Sequence, residues 1–107
     1  MGTVGDKRAA TVEVHRDFSG VLTMSIAGEL DLASVESVHE TIDDALTGGP
    51  ERVVFDLEGL TFMDSSGIAM MLQVSKRVGN VEVRNVTPIV RRVIEATGLI
   101  EVLGLEP

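Results

Sequence analysis

The chain reads as one small α/β domain: a mostly parallel sheet of four to five strands, an N-terminal hairpin and three main helices. Three observations predict this. Two segments of period-two alternation, Thr11–His15 and Val21–Ala27, flank the turn-forming run Asp17-Phe18-Ser19-Gly20, as the arms of a hairpin do. Beyond the hairpin, strand-like and helix-like segments alternate as β-α-β-α-β-α, which argues for parallel pairing through right-handed crossovers. Finally, 107 residues with 44% hydrophobic content suffice for a single packed core.

Each element follows from local pattern. Met1 to Arg8 lacks periodicity, so residues 1–9 are expected to form a flexible tail and residues 10–107 the domain. Asp31 fits the N-cap of a first helix reaching about Leu46. Leu32, Val35, Val38, Ile42, Ala45 and Leu46 line its apolar face, with Glu36, Glu40, Asp43 and Asp44 elsewhere, and Gly48-Gly49-Pro50 stops it. Arg52 to Leu57 carries Val53-Val54-Phe55, an unbroken apolar run suited to the interior of a parallel sheet. A short turn leads to a second helix that follows Ser66 and ends near Gly79. Val81–Val86 is the next strand. Thr87 then caps a third helix with Pro88 at its first position, where a missing N–H goes unnoticed. Ile89, Val90, Val93 and Ile94 form the expected buried stripe, Gly98 the stop, and Leu99 to Leu103 a short strand or packed tail.

Composition removes several classes of function. The net charge of -8 opposes a phosphate backbone and an anionic membrane surface alike, so neither nucleic acid nor membrane is an expected partner. A protein with a basic docking face is the natural complement. Cysteine is absent, which rules out a thiol nucleophile and fits a reducing, cytoplasmic setting. His15 and His39 are the only histidines and have no neighbours at metal-pair or triad spacing. There is no nucleophile elbow, phosphate loop or dinucleotide fingerprint. No catalytic residue, metal or cofactor is expected, and the protein reads as something other than an enzyme.

The most informative segment is Leu57-Glu58-Gly59-Leu60-Thr61-Phe62-Met63-Asp64-Ser65-Ser66-Gly67. It delivers an acid, two hydroxyls and a glycine to the start of an apolar helix, where backbone N–H groups lack partners and the dipole favours negative charge. Two readings are open: ordinary capping by Asp64, or a serine placed to accept a phosphate. Gly67 would let another protein approach the backbone closely. In the helix itself, Ile68, Met71, Leu72 and Val78 suit the core, whereas Ala69, Met70 and Val74 fall on another side. That helix is either sandwiched or presents a docking patch, to which Met70 would contribute an adaptable contact.

Gly28-Glu29-Leu30-Asp31, Phe62-Met63-Asp64-Ser65-Ser66-Gly67 and, more weakly, Asn85-Val86-Thr87-Pro88-Ile89-Val90-Arg91-Arg92-Val93 followed by Thr97-Gly98-Leu99 occur in this order over roughly residues 10–103. In this the chain resembles the STAS domain of bacterial anti-sigma factor antagonists. The resemblance implies a protein that binds an anti-sigma factor serine kinase when unphosphorylated and so frees the sigma factor. Phosphorylation by that kinase, which holds the ATP or ADP, switches the antagonist off, and a serine phosphatase restores it. Carried onto this sequence, the resemblance gives Ser66 as the acceptor with Ser65 as the alternative. It links Asp31, beside its reading as an N-cap, to kinase recognition. With Asp64, Ser65, Ser66, Gly67, Ile68 and Met70 from the helix-start reading above, Asp31 completes the expected partner-binding set. The other reading it allows is a phosphorylation-independent STAS subunit of a transport or signalling complex. A hydrolase using Ser66 is the third possibility, for which no general base is visible.

Overall fold

The computed structural model describes residues 9–100 and Leu103. Their order is β1 (Thr11–Arg16), β2 (Val21–Leu30), α1 (Val35–Leu46), β3 (Arg52–Asp56), β4 (Leu60–Met63), α2 (Ser65–Val78), β5 (Val81–Arg84) and α3 (Pro88–Thr97). The small α/β class is therefore observed, with five strands and three helices. The expected tail over residues 1–8 lies outside the described residues, while Ala9 forms a parallel bridge with Glu29.

Pairing is antiparallel only in the β1–β2 hairpin; β2–β3, β2–β4 and β3–β5 are parallel. The hairpin turn is fastened by Asp17, whose Oδ1 accepts from the Ser19 N–H and hydroxyl and from the Val21 N–H. Strand order is β1-β2-β3-β5, and β4 also lies against β2. Ten-residue β2 makes this possible. Its first half pairs with β3 and its last three residues, Gly28 to Leu30, pair with β4. The junction needs glycine twice. Gly28 has φ 92°, which glycine adopts freely, and the register shifts there. At Gly59 a Cβ would come within 2.8 Å of the Ala27 Cβ.

In-register residues Leu22, Val53 and Val81, and Met24, Phe55 and Val83, share one sheet face and are all buried. Helices α1 and α2 contribute Val38, Ile42, Ala45, Leu46, Ile68, Met70, Met71 and Val74 to the same core, and α3 contributes Val90 and Ile94. The opposite face carries Thr23, Ser25, Arg52, Asp56, Glu82 and Arg84 around a single buried Val54. Arg52 and Arg84 both pair with Glu82 there.

Several expectations are corrected. The first helix begins at Val35 and not at Asp31, because residues 32–34 form a turn, and Leu32 is consequently 78% exposed. The segment after β3 holds a fourth parallel strand where a turn was expected. Ile89 lies outside the buried stripe at 60% exposure, leaving Val90 and Ile94 as the buried pair with Val93 packed against them. Val14 is exposed because β1 is an edge strand. Leu99 and Ile100 form no strand; Leu103 is fully buried, its N–H donating to the Leu99 carbonyl, as a packed tail requires.

Candidate functional site

Asp64 is the N-cap of α2 in an extended conformation, so Ser65 and Ser66 fill the first turn of the helix as the sequence predicts. The Asp64 Oδ1 accepts from the Ser66 N–H at 2.9 Å and from the Ser66 hydroxyl at 2.5 Å. Its Oδ2 accepts from the N–H of Leu32, 3.3 Å away and 32 residues earlier. The Asp64 N–H meanwhile donates to the Leu30 carbonyl, extending the β2–β4 ladder by one bond. The Ser66 hydroxyl holds the carboxyl of Asp64 below its ordinary value of 3.8, aided by the N–H groups of Ser66, Leu32 and Gly67 and opposed by burial. Ser65 is exposed and Ser66 half-buried.

The turn that receives this bond is itself tightly closed. The Asp31 Oδ1 accepts from the N–H groups of Ala33 and Ser34, both at 3.1 Å. The Ser34 hydroxyl donates to the Glu29 carbonyl at 2.9 Å and accepts from the Asp31 N–H at 3.1 Å. Ser34 is 9% exposed, and its role went unread in the sequence. The Asp31-x-x-Ser34 spacing, with hydroxyl and carboxylate each able to reach the other's backbone, is the signal that could have found it.

Asp31, Asp64, Ser65 and Ser66 are thus brought together on one surface. The remaining three expected contact residues are not on it. Gly67 is buried, and a Cβ there would lie 2.7 Å from the Met63 Cγ and 2.9 Å from the Leu30 Cδ2. Its lack of a side chain lets α2 seat against β2 and β4, and is not available to a visiting protein. Ile68 and Met70 are 3% and 2% exposed. Both belong to the core, so α2 offers no Met70 docking patch; its wet face is the stripe Ser65, Ala69, Gln73, Lys76 and Arg77. Among the described residues no group of His, Asp and Glu is arranged to hold a metal ion, and no helix is long and apolar enough to cross a membrane.

A STAS domain family model matches residues 10–107. This chain belongs to the STAS-domain family of anti-sigma factor antagonists. Its STAS domain is 33% identical over 99 residues to an anti-sigma F factor antagonist of Paenibacillus polymyxa, a match spanning 88% of this chain and 82% of that one. Among solved structures, an anti-sigma factor antagonist from Mycobacterium paratuberculosis superposes with a TM-score of 0.84 at 27% identity, covering 94% of this chain and 88% of that one. The antagonist SpoIIAA in its unphosphorylated form matches with a TM-score of 0.70 at 25% identity, covering 83% of this chain and 82% of that one. SpoIIAA, a Bacillus cell fate determinant, has also been solved in a phosphorylated form; that structure matches with a TM-score of 0.63 at the same identity, over 83% and 85% of the two chains.

Proposed function

We infer that this STAS domain is a phosphorylation-controlled antagonist that binds an anti-sigma factor serine kinase when unmodified and loses it when a serine of the Asp64-Ser65-Ser66-Gly67 motif is phosphorylated. One observation carries the reading: the single carboxylate of Asp64 ties Ser66 to the turn that follows Asp31, so the polar residues of both motifs share one surface. The kinase supplies the bound ATP, a serine phosphatase reverses the step, and the exchange takes place in the cytoplasm. The protein itself performs no catalysis in this scheme; it is the substrate and the ligand.

Exposure supports Ser65 as the acceptor ahead of Ser66, which reverses the order given by the motif alone. The Ser66 hydroxyl is engaged by Asp64, and a phosphate there would abut that carboxylate. Ser65 stands in solvent at the same helix start, where unpaired N–H groups favour an anion. A phosphate adds about -1.5 to -2 charge at pH 7. Burying that charge against a partner without a matching cation weakens binding steeply, since about 1.4 kcal/mol is tenfold.

Peptide mapping after incubation with a purified anti-sigma factor kinase and ATP tests the assignment. The expected result is one phosphate, on Ser65, absent from Ser65→Ala and retained by Ser66→Ala. Transfer only to Ser66 restores the original order; transfer only to remote serines such as Ser19 or Ser37 sinks the site. In calorimetric titration, Ser65→Ala is expected to keep wild-type affinity, whereas Ser65→Asp loses part of it and the phosphoprotein most of it. Equal affinity of all forms would favour the phosphorylation-independent reading.

A further inference from the structure

Resting on the function proposed above, we propose that Leu32 is the apolar anchor by which this surface recognises its partner, seated in an apolar pocket of the anti-sigma factor kinase rimmed by cationic side chains. Leucine at 78% exposure is ordinary on a loose loop. Here the backbone beneath it is held on both sides. Asp31 and Ser34 close the turn through their side chains, and Asp64 clamps the Leu32 N–H itself. An exposed apolar side chain on a backbone fixed in advance loses little freedom when it docks, the property expected of an anchor.

Charge selects the partner's chemistry. Asp31 adjoins Leu32 in sequence and Asp64 adjoins it in space, on a chain of net charge -8. A second copy of this acidic surface is repelled, whereas a pocket rimmed by Lys or Arg is attracted. The same geometry explains how a phosphate would act. Leu32 N–H, the Asp64 carboxylate and the Ser66 hydroxyl form one continuous chain of bonds. A pocket that covers Leu32 therefore lies beside the serine pair. Its cationic rim meets Asp31 and Asp64, while the wall facing Ser65 carries no cation. A dianion on that serine is then desolvated unpaired, and closure is lost without moving the turn.

The test titrates the full chain and its Leu32 variants against the purified anti-sigma factor serine kinases encoded in the source genome. Leu32→Ala is expected to weaken binding roughly 30-fold, and Leu32→Lys further. Leu32→Met should restore most of it. In the phosphorylation assay the Leu32→Ala change should raise KM and leave kcat unaltered, and its thermal midpoint should match wild type, as for any exposed side chain. Wild-type affinity in both Leu32→Ala and Leu32→Lys would overturn the anchor while leaving the proposed function intact. So would a sedimentation result in which Leu32→Ala abolishes self-association and not kinase binding. Failure of the unaltered chain to bind any of the kinases would overturn the proposed function and the anchor with it.

Discussion

Replacing Asp64 by Ala removes the cap of α2, the acceptor for the Ser66 hydroxyl and the clamp on Leu32 together. A lost N-cap alone costs about 1 kcal/mol. Asp64→Asn retains an acceptor oxygen but not the charge, so it isolates the ionised form. Because the folded-state pKa of Asp64 lies below its ordinary value, its carboxylate contributes stability that is full above that value. The contribution is lost as pH falls through the lowered folded value. The stability advantage of wild type over Asp64→Asn is therefore expected to shrink between about pH 5 and pH 2. Urea titrations of both proteins across that range measure it, and an advantage that grows on acidification would contradict the sign. Asp64 and its place as a cap were legible from the Asp-Ser-Ser-Gly run. Its bond to Leu32 was not, because a contact spanning 32 residues leaves no trace in local pattern.

At the scale of elements, α2 is seated by Gly67. Alanine there would gain about 1 kcal/mol of helix propensity, but its Cβ would press on the Met63 side chain and Leu30 at 2.7 and 2.9 Å. Overpacking of this kind typically costs 1–3 kcal/mol, so Gly67→Ala is expected to destabilise by about 1 kcal/mol net. A lowered thermal midpoint would show it; a raised one would mean that Met63 relaxes without penalty. The turn before α1 illustrates the limit of periodicity. Leu32 continues the three-to-four spacing of the α1 face, yet Asp31 and Ser34 satisfy the backbone in a turn and delay the helix to Val35. Four-residue β4 had no alternation to betray it: Leu60 and Met63 are buried while Thr61 and Phe62 are exposed. It is a strand because the long β2 offers it a partner.

For the whole molecule, phosphorylation at the start of α2 is expected to leave the fold intact. The favourable dipole term at an exposed helix end is about 0.3–1 kcal/mol, and repulsion from Asp64 opposes it. Melting the first turns instead would expose Ile68, Met70 and Met71, all buried in the common core. At roughly 1.5–3 kcal/mol for each buried side chain, that route costs far more than the phosphate can supply. Amide exchange on both forms should show protection from Ile68 through Leu72 persisting, with a nearly unchanged thermal midpoint. Lost protection there would identify melting as the switch and defeat an interface mechanism.

The sequence by itself determined the α/β class, the hairpin, the three helices, the stop glycines at 79 and 98, and the serine pair at a capped helix start. Each is set by interactions within a few residues: alternation, capping, and the conformational freedom of glycine. Tertiary structure alone decided which apolar residues are covered. Met70 and Ile68 are buried because their face of α2 packs into the common core, while Leu32 and Ile89 remain outside because none of the described residues packs across them. Local pattern records how hydrophobic a face is; what covers it depends on partners distant in the chain, and here that difference leaves Ile68 and Met70 inside the core and Leu32 at the surface of the turn that Asp64 holds.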